Sequence, residues 1–288
     1  MKNVIITGSS SGFGFLSAKT LADNGYKVWA TMRNVQGKNK IQKEALEHHA
    51  ASIKVVEMDV ANDESVQGAI KAIISEDGKV DVLINNAGIM YIGITEAYSI
   101  KQAHQQMNVN FYGIIRTSQA VLPAMRKAGK GLIINCTSTA GRVSWPFMGT
   151  YNASKFAVEG YSQALKYELA PTGVEVVLVE PGPFGTNLIG SIAQEDRKVV
   201  LEDYRQLKEV QNQMIASFDQ FLQSDDAPAP QMVVDAYLIL AEMEAGERPT
   251  RTQVGISHGV DKINELTQPI QDNVPKELQL GFLLETKV

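Results

Sequence analysis

The stretch TGSSSGFG at residues 7–14 follows the apolar residues 4–6 near the start of the chain. Its three glycines indicate either a tight turn or a backbone that closely approaches a ligand. The stretch joins a predicted strand to a predicted helix, where backbone N–H groups point toward an anion. No lysine follows the last glycine, which excludes a phosphate loop of the G-x-x-x-x-G-K-[ST] type. We predict a dinucleotide site here, with a ligand-free turn as the alternative.

Short β-branched runs recur along the chain, with helical segments between them. Such runs, apolar on both faces, are typical of a parallel sheet that helices cover on both sides. The predicted strands are 3–7, 27–31, 53–58, 81–85, 131–135 and 174–179, and the predicted helices include 12–24, 63–77, 99–128 and 152–169. This alternation predicts an α/β fold, a doubly wound parallel sheet that binds ligands at the carboxyl ends of its strands.

The pattern changes after residue 186. Mixed charge is dense from 195 to 213, where polar Gln211 interrupts an apolar stripe made of Val200, Tyr204, Leu207, Met214, Phe218 and Phe221. We predict one long amphipathic helix, either solvated on the core or a lid over a substrate site. A helix at 231–245 and an edge strand at TQVGI, 252–256, are predicted after DAPAP at 226–230. We expect one domain, 1–288, with a cofactor-binding and catalytic core at 1–186 and a substrate lid and C-terminal extension at 187–288.

Composition excludes several classes of function. The net charge of −5 argues against a nucleic-acid partner, which requires a basic face. The single cysteine, Cys136, cannot form an internal disulfide, and the four histidines offer no metal-ligand spacing. No apolar run approaches the roughly 20 residues that span a bilayer, and the N-terminus lacks a signal peptide, so we expect a cytoplasmic location.

The end of the second predicted strand bears on the choice of dinucleotide. An NAD-selective site places a carboxylate on the ribose 2′-hydroxyl about 20 residues past the glycine loop. Thr31, Met32 and Arg33 stand at that distance, and none of them is acidic. An arginine there can pair with a 2′-phosphate, so NADP(H) is favoured and NAD(H) stays possible. The alternative is an exposed arginine at a strand end.

Tyr151 and Lys155 stand four residues apart, so both side chains can face one cleft from a single helical turn. Ser138 precedes Tyr151 by thirteen residues and directly follows a predicted strand. The same spacings occur in a second set, which consists of Ser191, Tyr204 and Lys208. This second set follows no strand, and its tyrosine lies on the apolar stripe. We interpret it as a coincidence.

Taken together, these residues resemble the short-chain dehydrogenase/reductase family over residues 1 to about 186. The matching motifs are TGSSSGFG (7–14), Asp59, NNAG (85–88), Asn110 in NVNFYG, Ser138, YNASK (151–155) and PGPFGT (181–186). The resemblance implies a Rossmann fold of about seven parallel strands. It also implies homodimers or homotetramers that pair through the long helices at 99–128 and 152–169. Phe13 stands where the family more often has an aliphatic residue, and we expect that position to contribute mainly its backbone.

The resemblance extends to the role of each catalytic residue. Tyr151 is the general acid in reduction and the base in oxidation, and the Lys155 ammonium stabilises its phenolate by electrostatic attraction. Ser138 donates to the substrate oxygen, and Asn110 holds a water that relays protons to Lys155. The C-terminal part looks broadly like members acting on hydroxysteroids or retinoids, or like carbonyl reductases.

A larger set of residues is expected to bind the cofactor. Lys155 is expected to hydrogen-bond to the nicotinamide ribose. The Asp59 carboxylate is expected to accept from the adenine amino group, and the Thr186 hydroxyl to bond to the carboxamide. The alternative for Asp59 is a cap of the helix that follows Val60. The complete set is Gly8, Ser10, Ser11, Gly12, Phe13, Gly14, Arg33, Asp59, Val60, Asn86, Ala87, Gly88, Tyr151, Lys155, Pro181, Gly182 and Thr186.

An apolar and aromatic wall is expected around these motifs. Its candidates are Met90, Tyr91, Trp145, Phe147, Met148, Phe184 and Leu188, of which roughly half would pack the core instead. Such a wall favours a lipophilic ketone, aldehyde or secondary alcohol as substrate. The first hypothesis is therefore an NADP(H)-dependent carbonyl reductase or alcohol dehydrogenase. The alternatives are a 3-oxoacyl thioester reductase of fatty-acid or polyketide type, and a non-catalytic NADP(H)-sensing module.

Overall fold

The computed structural model describes residues 1–186, 188 and 193–287. Seven parallel strands form one sheet in the order β3-β2-β1-β4-β5-β6-β7. They are β1 (Asn3–Thr7), β2 (Lys27–Met32), β3 (Ile53–Glu57), β4 (Val82–Asn85), β5 (Gly131–Cys136), β6 (Val174–Pro181) and β7 (Arg251–Val254). The predicted doubly wound parallel sheet is confirmed, and every predicted strand, including the edge strand at TQVGI, is present near its expected position.

Both faces of the sheet are buried, as the β-branched strands predict. Alternate residues of a strand point to opposite faces. In β1, Val4 and Ile6 join one core cluster, whereas Ile5 joins a second cluster on the other face. Polar side chains are therefore found mainly where the strands end.

Helices cover the two faces. The helices of the described residues are α1 (Gly12–Asp23), α2 (Lys40–His49), α3 (Asp63–Asp77), α4 (Ile100–Met107), α5 (Gly113–Ala128), α6 (Gly149–Leu169), α7 (Lys198–Asp203), α8 (Arg205–Leu222), α9 (Gln231–Glu242) and α10 (Val260–Glu277), of which six contribute to the two core clusters. One core cluster takes Leu21 of α1, Leu46 of α2 and Tyr237 of α9. The other takes Ile70 of α3, Val121 of α5 and Leu165 of α6.

The strand order reverses between β1 and β4, because β2 and β3 lie on one side of β1 and the remaining strands lie on the other. The carboxyl ends of the strands at such a reversal form a crevice that binds ligands. The glycine loop follows β1 and the NNAG stretch ends β4. Both motifs therefore stand at this crevice.

The helix predicted at 99–128 is present over residues 100–128, but it is not a regular α-helix throughout. Ser99 begins α4 with a capping box shared with Gln102. The residues Asn108–Tyr112 then form a π turn, and α5 continues from Gly113. Such turns are frequent at functional sites, because the extra residue changes the direction of one side chain. Here that side chain is Asn110, whose contacts are described below.

The C-terminal part differs more from expectation. The single helix predicted at 195–213 is instead two helices, α7 and α8, separated at Tyr204. Gln211, which interrupts the predicted stripe, is the buried residue of α8, whereas Leu207 is 47% exposed. The sequence interpretation also missed α2 and α10, the second of which contains Pro269 and Pro275.

Candidate active site

The glycine loop after β1 adopts a conformation that other side chains would block. Gly8 has a φ of 70° and Gly12 a φ of 53°, in the region that favours glycine. A Cβ atom on Gly8 would lie 2.8 Å from the Cα of Ala87, and one on Gly14 would lie 2.5 Å from the Gly8 carbonyl oxygen. These glycines therefore allow α1, the loop and the segment after β4 to approach closely.

Side chains tie the glycine loop to the segment that follows β4. The Thr7 hydroxyl accepts from the backbone N–H of Asn86 at 3.0 Å and from that of Ala87 at 2.9 Å. In return, the Asn86 amide donates to the carbonyl of Thr7 at 2.9 Å and to that of Gly8 at 3.3 Å. Asn86, Ala87 and Gly88 consequently border the crevice, where the sequence interpretation places part of the cofactor. Thr7 was not predicted to contribute.

The N-terminus of α1 offers free hydrogen-bond donors. The backbone N–H groups of residues 10–14 donate to no acceptor within the described part of the chain, and the Ser11 side chain makes no capping bond. Free N–H groups at a helix N-terminus, together with the helix dipole, form an anion site. The loop therefore fits the diphosphate of a dinucleotide, and this observation disfavours a ligand-free turn.

Arg33 and Asp59 both stand at the carboxyl edge of the sheet, the first after β2 and the second after β3. Arg33 Nη1 lies 4.0 Å from Asp59 Oδ2, and the two side chains are 64% and 38% exposed. Asp59 accepts from the Ala61 N–H at 3.0 Å, whereas Asn62 is the residue that caps α3. Val60 is buried. The Arg33 guanidinium is thus open to an anionic ligand.

Tyr151 and Lys155 lie together near the N-terminus of α6, and both side chains are buried. The Lys155 ammonium lies 5.7 Å from the centre of the Tyr151 ring. It also donates to the Cys136 carbonyl, at the end of β5, at 2.9 Å. An ammonium has three donors, so two are left for the tyrosine or for a ligand. The structure therefore brings these two predicted residues together at the crevice.

Ser138 lies two residues beyond β5, on the same edge of the sheet. Its hydroxyl accepts from the Ala140 N–H at 3.1 Å and lies 3.4 Å from the Pro181 carbonyl, to which it donates. A separation of 3.4 Å is long for an O–H···O bond. The hydroxyl can therefore turn toward a substrate oxygen at little cost.

Asn110 is fully buried in the π turn. Its Oδ1 accepts from the Ile89 N–H at 2.9 Å, and its Nδ2 donates to the Ile89 carbonyl at 2.9 Å and to the Ser154 hydroxyl at 3.0 Å. The side chain thus fixes the backbone after β4 from both sides, rather than making a local bond within its own helix. Because protein atoms use both amide hydrogens, the proton-relaying water stays a prediction.

The segment after β6 closes the other side of the crevice. The Gly182 N–H donates to the Val254 carbonyl at 2.9 Å. A Cβ on Gly182 would overlap the Ile256 carbonyl oxygen, so only glycine fits. Thr186 lies against Gly12, whose Cβ would stand 3.3 Å from that of Thr186. Thr186 therefore covers the glycine loop, and its bond to the carboxamide stays a prediction.

Three aromatic residues have different surroundings from those expected. The Phe13 ring packs edge-on against Phe184, with centroids 5.4 Å apart, so Phe13 contributes its ring as well as its backbone. Phe184 belongs to the core beside β6 and not to the substrate wall. Tyr91 is also buried outside that wall, where it stacks on Tyr98 with a centroid separation of 5.5 Å.

The remaining wall candidates gather around Tyr151. Met90, Ile92, Ala140, Met148 and Tyr151 form one apolar cluster, against which pack Trp145, Phe147, Leu188, Met214 and Ile215. Phe147 has a φ of 62°, a strained conformation for a bulky residue, which the surrounding structure must hold in place. Met214 and Ile215 belong to α8, so this helix packs against the cluster around Tyr151, and its role as a lid stays a prediction.

A partly buried ion pair fastens α8 to the loop after β4. Glu195 Oε1 accepts from the Lys208 ammonium at 2.6 Å and from the Ile94 N–H at 3.2 Å. Next to it, Asp196 accepts from the Ser99 hydroxyl at 2.7 Å. We call these contacts the Glu195 latch. No signal in the sequence indicates them, because the loop and Glu195 lie about a hundred residues apart.

The second tyrosine–lysine set takes part in this same contact. The Tyr204 hydroxyl donates to Glu96 Oε2 at 2.7 Å, and this carboxylate raises the pKa of Tyr204. Lys208 is the partner of Glu195. Ser191 lies outside the described residues. Tyr204 and Lys208 therefore bind acidic side chains at the N-terminal part of α8.

A buried charged cluster connects α6, β6 and β7. Arg251 Nε donates to Glu159 Oε2 at 2.9 Å and lies 3.5 Å from Glu180 Oε1, which Arg142 approaches to 4.0 Å. Burial, followed by the negative charge of Glu159, raises the pKa of Glu180 to about 8. Glu159 lies one turn beyond Lys155, and Glu180 directly precedes the Pro181 turn. The cluster thus fastens α6 to β6 and β7, and sequence reasoning missed it.

Three further observations concern a nucleophilic cysteine, a metal site and a membrane-spanning helix. Burial raises the pKa of the Cys136 thiol, as expected for a core residue rather than a nucleophile. Within the described part of the chain, no three His, Cys, Asp or Glu side chains are arranged to hold a metal ion. None of the described helices is both long and apolar enough to cross a bilayer.

Comparison with known proteins identifies relatives over the first two thirds of the chain. The family description "short chain dehydrogenase" matches residues 2–197. A 3-ketodihydrosphingosine reductase of Bacteroides thetaiotaomicron is 43% identical over 183 residues, which cover 64% of each chain. Retinol dehydrogenase 8 of Bos taurus is 36% identical over 197 residues, which cover 67% of this chain and 62% of the relative. The match thus spans less than two thirds of the length of these curated relatives.

Solved structures match over a longer part of the chain. A short-chain dehydrogenase from Streptomyces avermitilis has a TM-score of 0.77 at 26% identity, over 97% of this chain and 98% of the other. A 3-ketoacyl-(acyl-carrier-protein) reductase from Brucella melitensis, complexed with NADH, has a TM-score of 0.73 at 25% identity, over 89% and 98%. The Rossmann-type fold and the resemblance drawn from the motifs are both confirmed, and the chain belongs to the short-chain dehydrogenase family of oxidoreductases.

Proposed function

We propose that this protein is an NADP(H)-dependent oxidoreductase that transfers a hydride between nicotinamide and a lipophilic ketone, aldehyde or secondary alcohol. The observation that carries the proposal is the position of Tyr151. Its ring is part of an apolar cluster, and the Lys155 ammonium lies 5.7 Å from its centre. A proton donor and a cation therefore stand beside an apolar wall at the crevice where this fold binds dinucleotides.

The proton is moved by Tyr151. In reduction its hydroxyl donates a proton to the developing alkoxide, and in oxidation its phenolate removes one from the alcohol. The phenolate is costly to form near neutral pH, and the Lys155 ammonium stabilises it through electrostatic attraction. The bond from Lys155 to the Cys136 carbonyl keeps the ammonium directed to this edge of the sheet.

Ser138 orients the substrate. Its hydroxyl makes only a long contact with the Pro181 carbonyl, so it can donate to the substrate oxygen instead. Such a donor stabilises negative charge on that oxygen, as in an oxyanion hole. Asn110 positions the site indirectly, because its side chain holds the backbone of Ile89 beside the site.

The cofactor is held by groups whose geometry is already suitable. The free N–H groups of residues 10–14 receive the diphosphate, and Asn86, Ala87 and Gly88 line the path beyond it. Arg33 pairs with a 2′-phosphate, while Asp59, 4.0 Å away, accepts from the adenine amino group. When bound, the nicotinamide supplies the hydride in reduction and accepts it in oxidation.

The substrate class follows from the wall. Met90, Met148 and Ile92 are buried around Tyr151, and α8 adds Met214 and Ile215. This surface offers few hydrogen bonds and suits a long or wide apolar substituent next to the carbonyl. Two relatives are named for a 3-ketodihydrosphingosine and a retinol substrate, which agrees with that chemistry.

A kinetic comparison tests the catalytic assignment. With NADPH and a panel of retinal, 3-ketodihydrosphingosine, a 3-oxoacyl thioester and a small ketone, we expect Tyr151→Phe to lower kcat/KM by roughly 10²- to 10⁴-fold. Tyr204→Phe is the matched control and should retain most activity, because it loses only the bond to Glu96. Activity that survives the first substitution and disappears with the second would overturn the assignment.

Thermal unfolding tests the cofactor preference. At about 100 times its dissociation constant, a ligand adds roughly 2.7 kcal/mol to the free energy of unfolding. At equal concentrations we expect NADP+ to raise Tm more than NAD+, and Arg33→Ala to abolish the difference. Equal shifts in the wild type would refute the role given to Arg33.

The proposal includes the assembly and place of action. We place the protein in the cytoplasm, as a homodimer or homotetramer that pairs through the helices α5 and α6. Tyr112, beside the start of α5, and Phe156, on α6, are 41% and 44% exposed and are available for such pairing. Substituting Phe156 by Glu should reduce the mass measured by light scattering.

A further inference from the structure

The helix α10 binds the rest of the protein through polar side chains. Arg142 donates to Asn264 Oδ1 at 2.9 Å and also to the Thr267 hydroxyl. The Tyr167 hydroxyl donates to the carbonyl of Gln271 at 3.0 Å. Since these bonds, together with the bond from Asn264 to the buried Glu180, hold one side of α10, the helix is fixed in its orientation. Its other sides must therefore face outward.

One of those outward sides is apolar. Leu266, Ile270 and Val274 recur every four residues and are 72%, 69% and 43% exposed, and Leu278 directly after the helix is 64% exposed. Residues four apart lie on the same side of a helix. We call these four residues the α10 stripe. A contiguous apolar strip of this kind on a helix that cannot turn inward marks an interaction site.

The charges of α10 disfavour an anionic lipid surface as the partner. The helix carries four acidic residues, Asp261, Glu265, Asp272 and Glu277, and two lysines, Lys262 and Lys276. Helices that lie in an anionic membrane surface are rich in Lys and Arg on their polar side. A protein surface is the better match.

Three of the four residues of the α10 stripe are placed symmetrically about Ile270. Leu266 and Val274 each lie four residues from Ile270, on opposite sides. Lys262 lies eight residues before Ile270 and Glu277 seven residues after it, and both are exposed. Two antiparallel copies centred on Ile270 therefore place Leu266 against Val274, Ile270 against itself, and Lys262 beside Glu277. A two-fold axis requires this kind of self-complementarity.

We propose that the α10 stripe is a self-association surface, on which two copies of this chain pair with antiparallel α10 helices about a two-fold axis at Ile270. The contact is separate from the α5 and α6 surface and does not depend on the catalytic assignment. The stripe has four residues, far fewer than the roughly 20–30 on each side of a stable interface. The pairing is therefore concentration-dependent, and it joins subunits or preformed dimers into the next larger assembly.

Sedimentation velocity of the full chain between about 1 and 200 µM tests this proposal, a range suited to a weak interface. We expect the wild type to shift to a species of twice the mass as concentration rises. Ile270→Glu places two carboxylates at the axis and should weaken pairing by about tenfold or more. Ile239→Glu on α9 is the matched control, because Ile239 is 58% exposed and lies outside the stripe. It should leave pairing unchanged.

A charge exchange tests the antiparallel arrangement itself. Lys262→Glu and Glu277→Lys should each weaken pairing several-fold, since each brings like charges together, and the double substitution should restore it. Masses that Ile270→Glu does not change, or a double variant as weak as the singles, would overturn the proposal. So would a wild type of constant mass that binds phosphatidylcholine vesicles through Ile270, because the partner would then be lipid.

Discussion

The cofactor side and the substrate side of the crevice are held by different forces. Around the glycine loop, backbone segments approach so closely that a Cβ on Gly8 or Gly14 would overlap its neighbours. On the other side, α8 is held by the Glu195 latch, which consists of a partly buried ion pair and hydrogen bonds made by single side chains. We therefore expect the glycine positions to tolerate almost no substitution, whereas single residues of the latch can be replaced.

The largest effect is expected from adding one methyl group to the glycine loop. In Gly14→Ala the new Cβ would lie 2.5 Å from the Gly8 carbonyl and 2.6 Å from the Asn86 amide nitrogen. We expect a loss of about 3 kcal/mol in the free energy of unfolding, at the upper end for overpacking, together with loss of nucleotide binding. Chemical denaturation and NADP+ titration measure both.

Gly160→Ala provides the control for that prediction. Gly160 lies within α6, and a Cβ there meets nothing within 4 Å. Alanine in the middle of a helix should stabilise the protein by about 0.5–1 kcal/mol. If both alanines were equally tolerated, close backbone packing would not be what holds the cofactor side.

The buried charged cluster predicts a smaller effect, which depends on pH. The pKa of Glu180 is raised from 4.5 to about 8, so the native state binds a proton that the unfolded state releases. The stability that this proton contributes is fully present below about pH 4.5 and is lost as pH rises through about 8. We expect the wild type to lose more than about 1 kcal/mol over this range relative to Glu180→Gln. Parallel pH dependences in the two proteins would contradict the assignment to Glu180.

The smallest effect is expected at the latch. Glu195→Gln removes the charge that pairs with Lys208, whose side chain is 28% exposed and therefore partly screened. Stability should change by less than about 1 kcal/mol, while KM for a lipophilic ketone should rise roughly two- to fivefold at constant kcat. Glu202→Gln on α7, an exposed residue, is the control. An unchanged KM in Glu195→Gln would show that the latch does not shape the substrate wall.

Local patterns in the sequence predicted the central sheet well. The β-branched runs of β1 and β6 are buried on both faces, so their identity as strands requires no knowledge of distant residues. The same holds for Tyr151 and Lys155, whose contact follows from the helical period. Gly8 and Gly14 were also predicted, because a loop between a strand and a helix constrains the backbone locally.

Contacts between distant segments could not be predicted in this way. Glu195 meets Ile94, and Arg251 meets Glu159, only because the sheet brings their segments together. Helix α10 was missed because Pro269 and Pro275 are strong signals against a helix, although the tertiary contacts of α10 outweigh them. The break at Tyr204 was missed for a related reason, since its bond to Glu96 depends on the fold.

Because of the π turn at Asn108–Tyr112, the orientation of α5 depends on the length of this segment. One residue fewer would allow a continuous α-helix, but it would rotate α5 by about 100° relative to α4. Thr117, which donates to the Asn85 side chain at 2.6 Å, would then point away from β4. A single-codon deletion in this turn, even one that keeps Asn110, would disconnect the helix from the sheet. The number of residues between α4 and α5 is therefore as strongly constrained as the identity of those residues.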